Sequence, residues 1–211
     1  DANRRLMTLL PLLTLDFIVL DLNSFLFFFL VFLGAIVQSL TGFAMALIIL
    51  GGVAAFGLAG ISETAAVVSI LSLFNAGLAL RYNYREINYS LLKTMSLGMV
   101  PAVFFGFLIL EYMSAEFSEL LKVSLGVVIV LAGVLLFLKP TPYARSSSKA
   151  VQGLIGFFGG LMAGTYGAGG APLAYLLYRQ PLEFSVVRAT LLSLFAISTL
   201  VRTLIAGAYG Q

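Results

Sequence analysis

The chain has 211 residues, of which 61% are hydrophobic and only 10% charged, with a mean hydropathy of +1.07 and a formal net charge of +3. Soluble domains carry nearer a quarter charged residues, so the composition excludes an ordinary soluble fold and implies an all-α polytopic membrane protein. Cys, His and Trp are absent, which excludes disulfides and thiolates, removes the usual metal ligand and proton shuttle, and leaves Tyr to serve any aromatic belt.

In chain order, residues 1–22 form a lead-in. The stretch "RRLMTLLPLL" (4–13) suits a signal peptide, but no small-residue cleavage pattern follows and Asp16 and Asp21 interrupt it, so it reads as an interfacial approach to the first membrane helix. Apolar runs then occupy about 23–58, 61–80, 89–110, 119–138, 150–178 and 185–208. A spanning helix needs about 20 apolar residues. Four runs have that length and two, 23–58 and 150–178, are too long. Each long run holds a helix-breaking patch, "QSLTGFA" (38–44) in the first and "GTYGAGGAP" (164–172) in the second. Each is therefore expected to be two shorter helical pieces meeting at an irregular point.

The patches are related by an offset of 125 residues, which carries Phe32 onto Phe157, Gly34 onto Gly159, Gly42 onto Gly167 and Ala46 onto Ala171. The following helices align without a gap, and Glu63 falls on Arg188. This predicts a first transmembrane repeat at 23–138, a cytoplasmic linker at 139–149 and a second repeat at 150–211 that is short by about two helices. Charge gives the orientation. The links 81–93 (Arg81, Arg85, Lys93) and 139–149 (Lys139, Arg145, Lys149) are basic, whereas 111–122 carries Glu111, Glu116 and Glu119. The positive-inside rule places the first two in the cytoplasm and the third outside. Arg179 and Arg188 reach the cytoplasmic side only if 150–178 enters, breaks and returns as a hairpin. The same treatment of 23–58 gives two inverted repeats, the usual plan of a secondary transporter.

Irregular backbone is not tolerated against lipid, but it survives where it lines a cavity or meets a ligand. A helix restarting after a glycine patch presents free N–H groups with partial positive charge. Restarts near Phe43 to Met45 and near Gly170 to Pro172 are expected to face one another as an anion site. Pro172 suits a first helical turn, and Gly167, Gly169 and Gly170 permit close backbone approach. Gln38, Ser39, Thr41, Gly42, Phe43, Thr165 and Tyr166 supply neutral donors and backbone around the breaks. Arg188 and Arg202 are candidates for balancing the anion's charge, although Arg202 serves equally as a structural partner of carbonyls or a carboxylate. Asn75 reads as an interhelical hydrogen bond more readily than a ligand contact, and Glu63 as a helix-start charge with a thin case for carrying a coupled proton. The competing account of the glycines is close helix packing, to which "GLMAG" (160–164) conforms. A potassium-type filter and a dinucleotide loop both fail on residue order.

The motifs "GAIVQSLTGFAMAL" (34–47), "GGLMAGTYGAGGAPLAYLL" (159–177) and "VRATLLSLF" (187–195) resemble those of the sulfite exporter TauE/SafE family over roughly 24–210. The resemblance implies two four-helix repeats, with the motif at the start of each. It also implies transport of sulfite, sulfoacetate or other organosulfonates across the bacterial inner membrane. The chain departs at Gly42-Phe43-Ala44, where many members have a further glycine, which weakens the carry-over of backbone binding to Ala44. The residues on their own give an anion-suited secondary transporter, with a passive anion channel as the alternative. An enzyme lacks its common acid–base groups here, and a structural membrane partner leaves two matched breaks without a purpose. The expected partners are a small anion and the lipid bilayer, with room for a homodimer. No metal, cofactor or nucleic acid is called for.

Overall fold

The computed structural model describes residues 22–137 and 141–209. The lead-in with Arg4, Arg5, Asp16 and Asp21, and Lys139 in the linker, lie outside the described residues. Among the described residues there are eight α-helices: α1 (Leu22–Thr41), α2 (Met45–Phe56), α3 (Ile61–Asn83), α4 (Tyr89–Glu116), α5 (Ser118–Phe137), α6 (Lys149–Tyr166), α7 (Gly170–Tyr178) and α8 (Phe184–Ala208). No strand occurs among the described residues. Among the described residues five helical segments are long and apolar enough to cross a membrane, namely α1, α3 with the short turn after it, α4, α5 and α8.

Both long runs break at their glycines. Gly42 (φ 85°) ends the first limb and Gly167 (φ 66°) ends the limb of α6. Left-handed backbone costs an L-residue about 1 kcal/mol and glycine almost nothing, so these two positions stop the helices cheaply. After each stop the chain returns along the limb it came from. A Cβ on Gly34 would touch Met45 and Ile49, and one on Gly52 would strike Leu30. In the second run a Cβ on Gly169 would strike the Gly159 carbonyl, and one on Gly159 would strike Leu173. Both pairs are antiparallel hairpins with unequal limbs, 20 against 12 residues and 18 against 9.

The hairpin tips lie at opposite ends of an antiparallel pair, α3 and α8. Arg202 near the end of α8 bonds to Ala65 and Ser69 near the start of α3, while Asn88, just past α3, donates its N–H to Thr190 near the start of α8. Gly42 sits against Arg188 and Leu191, in the first turns of α8. Gly167 sits against Ala65 and Ser69, in the first turns of α3.

The tightest seam joins α4 and α6 in parallel. Cβ atoms on Gly156, Gly160 and Gly164 would strike the carbonyls of Met95, Met99 and Val103, and one on Gly98 would strike Gly153. Four-residue spacing puts these glycines on one helix face, and removing the side chains lets the backbones meet, as small residues do in membranes. Packing is thus the role of Gly160 and Gly164.

The acidic segment 111–122 is almost wholly helical. Glu111 and Glu116 ride the last turns of α4, Glu119 the first turn of α5, and Phe117 (φ −139°) alone interrupts them. Glu, Met and Ala are good helix formers, so charge marks a membrane surface here without marking a loop. The basic segments gather at one end. Asn88 meets Thr190, and the linker joins the α7–α8 turn through Tyr143 N–H to Arg179 O (2.6 Å) and Ser147 N–H to Gln180 Oε1 (3.1 Å). At the other end Glu63, Ser114, Ser118 and Lys122 line one cavity of about 440 Å³. Outward faces are apolar, with Phe25, Phe28, Phe29 and Phe32 on α1 and Val67, Ile70, Phe74 and Leu78 on α3 all exposed, as lipid contact requires.

Candidate functional site

The first break is held by its own side chains. The Thr41 hydroxyl lies 2.7 Å from the Val37 carbonyl and 3.0 Å from that of Phe43, and the Gly42 N–H donates to Gln38 O at 2.7 Å. From the other half of the molecule, the Tyr178 hydroxyl donates to Thr41 O at 2.9 Å. Phe43 then turns inward between two left-handed residues, Gly42 and Ala44 (φ 83°). Among the described residues Ala44 is the only non-glycine with positive φ, and it occupies the place where the resemblance anticipates glycine.

A cavity of about 400 Å³ opens beside this break, lined by Val31, Ala35 and Ser39 of α1, Met45 of α2, Leu71, Phe74, Asn75, Leu78 and Ala79 of α3, and Arg188 of α8. Its polar groups are few. Asn75 donates its amide to Ala35 O and to Ser39 Oγ, both at 3.3 Å, so it serves as an interhelical bridge and a cavity wall together. Arg188 is half-buried; its Nε is shut off from solvent and has no hydrogen-bond partner among the described residues. Gln38, 2% exposed, likewise has an unpartnered Nε2. Leaving a shielded donor unpaired costs about 1–3 kcal/mol, and the rest of this half-buried guanidinium lines the cavity, so the site favours an acceptor there.

The second break is different. The Thr165 hydroxyl lies 3.0 Å from the carbonyls of Gly106 and Leu161. The Tyr166 hydroxyl pairs with Ser124 Oγ at 2.6 Å. Arg202, 2% exposed, donates from Nε to Gly164 O at 3.0 Å, and from Nη1 to Ala65 O at 2.8 Å and Ser69 Oγ at 2.6 Å. It ties α8, α6 and α3 together, within the favourable field of Glu111. Gly169 is fitted against Gly159 and leaves no room for a ligand at its Cα. Pro172 is the third residue of α7, inside its first turn.

The two restarts do meet. A Cβ on Gly170 would lie 3.0 Å from Phe43 Cβ and 2.5 Å from Phe195 Cζ. The meeting point is filled with aromatic rings, so the glycine amides do not line the cavity. The structure brings Ser39, Asn75 and Arg188 into one cavity, places Gln38 and Thr41 in the turns beside it, and sets Thr165, Tyr166, Gly167, Gly169, Gly170 and Arg202 apart. Glu63 stands at the far end, exposed, on the other cavity. Sequence reasoning reached Met45 only as the end of a helix restart and missed Phe74 and Tyr178. Tyr178 had a local signal, an aromatic with a polar tip at the end of an apolar run, but its partner Thr41 is 137 positions away.

The profile of the sulfite exporter TauE/SafE family matches residues 26–211, which takes in both breaks and every residue of the cavity. The chain belongs to the sulfite exporter TauE/SafE family. A curated TauE/SafE relative from Cupriavidus necator, described as a probable sulfite/organosulfonate exporter TauE, is 36% identical over 178 residues, covering 84% of this chain and 70% of the relative. No solved structure matches the chain. Among the described residues no cluster of Asp and Glu side chains is placed to hold a metal ion.

Proposed function

We propose that this TauE/SafE family member is a secondary transporter of small sulfur-containing anions, sulfite or an organosulfonate, working by alternating access in a bacterial inner membrane. The observation that carries the reading is Arg188, a half-buried guanidinium that lines a cavity together with Ser39 and Asn75. The guanidinium fork suits a tetrahedral or pyramidal oxyanion. The apolar wall of Val31, Ala35, Met45 and Leu71 suits the carbon end of a sulfonate. The family and the name of the Cupriavidus relative supply the sulfur chemistry; the cavity supplies a place for the charge.

Two further observations support alternating access. The hairpin tips approach from opposite ends of α3 and α8, as two inverted repeats at 23–138 and 150–211 would require. The basic segments share one end and the acidic ones the other, which assigns the Arg188 end to the cytoplasm by the positive-inside rule. The test is radiolabelled sulfite flux in proteoliposomes. Saturable uptake accelerated by unlabelled sulfite on the far side is expected. A non-saturating flux with unitary currents would instead make the protein a channel, and no flux of any sulfur anion would remove the reading.

A further inference from the structure

We infer that Phe43 is the plug that separates the Arg188 cavity from the second break, an inference that rests on reading that cavity as the anion site. Phe43 is 4% exposed and does not line the cavity, although its neighbours Gly42 and Met45 border Arg188 and the cavity wall. Its ring points the other way, into the cluster formed by Leu173, Leu177, Leu191 and Phe195. It is therefore the side chain by which the first hairpin closes onto the second.

Three features fit a plug better than an ordinary core residue. Gly170 is the seat of the ring: any side chain there would meet Phe43 and Phe195 together. The ring packs edge-on to Tyr178 at 6.4 Å, and Tyr178 in turn stacks on Phe184 at 6.1 Å and bonds to Thr41 O. An aromatic chain thus runs from the tip of the first hairpin to the start of α8. Phe43 also stands between two left-handed residues, one of them an alanine. Strain held at such a point marks a position that the surrounding structure fixes for a purpose. An anion cannot cross a dry aromatic contact without its hydration being replaced. Displacing the ring therefore opens the junction of the two hairpins at Gly170 to the cavity.

The chain contains no cysteine, so single introduced thiols report access without background. Ala171, next to Gly170 and 2% exposed, is changed to Cys in proteoliposomes and challenged with a sulfonate-bearing methanethiosulfonate reagent. Ser39→Cys reports the cavity. With Phe43 present, Ala171→Cys stays unreactive and Ser39→Cys reacts. With Phe43→Ala, the Ala171→Cys rate rises by about tenfold or more, since thiol reactivity follows access. Phe43→Leu, which keeps most of the apolar volume, gives a smaller rise and guards against a fold failure in the alanine variant. Equal Ala171→Cys rates with Phe43, Leu and Ala overturn the plug. If Ser39→Cys reacts while Ala171→Cys ignores position 43, the plug falls and the cavity reading stands. If Ser39→Cys is protected, the cavity reading falls and the plug falls with it, whatever Ala171→Cys does.

Discussion

The two breaks begin from the same local chemistry and end in opposite states. Each interrupts an apolar run at a left-handed glycine, and each packs against the first turns of the other half's long helix. At the second break, Thr165, Tyr166 and Arg202 spend their donors on the protein itself. At the first, Arg188 and Gln38 keep donors free and a cavity lies alongside. A fully bonded polar network rigidifies, whereas an unpaired buried donor waits for a ligand or is a standing cost. The second break accordingly anchors the fold, and under the proposed function the first is the working site.

Four substitutions separate these roles. The largest effect belongs to the anchor side. Gly164→Leu drives a side chain into the Val103 carbonyl across the α4–α6 seam. Overpacking of about 3 kcal/mol or more is expected, seen as loss of the monodisperse peak in size-exclusion chromatography. Next, Arg202→Met leaves the carbonyls of Ala65 and Gly164 without their donor. It should destabilise by about 2–4 kcal/mol, read as a lowered midpoint of thermal unfolding in detergent.

On the working side the effects are smaller on stability and larger on ligand. Asn75→Leu removes one donor from the cavity and the bridge to Ala35. Sulfite affinity should fall by about tenfold, one hydrogen bond's worth, and the unfolding midpoint should drop by less than in Arg202→Met, about 1 kcal/mol of stability, because the Ala35 carbonyl loses its donor. The smallest change is Ala44→Gly, which relieves the left-handed alanine. A gain of about 1 kcal/mol in stability is expected from the strain released. An unchanged midpoint would show that the turn at Phe43 is unstrained.

Much of the outline was legible because glycine and proline punctuate an apolar chain unambiguously. Gly42 and Gly167 stop their helices where the offset of 125 residues aligns them, and charge asymmetry pointed to hairpins for both long runs. What each glycine does was not legible. Close packing and exposed amides both require the smallest residue, and only the position of Gly159 opposite Gly169, or of Val103 opposite Gly164, decides. Arg202 posed the same difficulty. A mid-helix arginine signals a buried partner, but its partners Ala65 and Ser69 lie 137 and 133 residues earlier. The Ser39–Asn75–Arg188 cavity escaped for a related reason. Each residue was a candidate, yet nothing local says that α1, α3 and α8 meet there.

The division between an anchoring break and a working break is tested most directly by the thermal stabilisation that sulfite gives to wild type, Arg188→Gln and Arg202→Met. Wild type should show a concentration-dependent rise in unfolding midpoint, as any ligand of the folded state produces. Arg202→Met should start from a lower midpoint and keep that rise. Arg188→Gln should start at or above the wild-type midpoint and lose it, reflecting an affinity drop of about 100-fold for removal of the anion's charge partner. A rise that survives in Arg188→Gln but vanishes in Arg202→Met would reverse the roles of the two breaks.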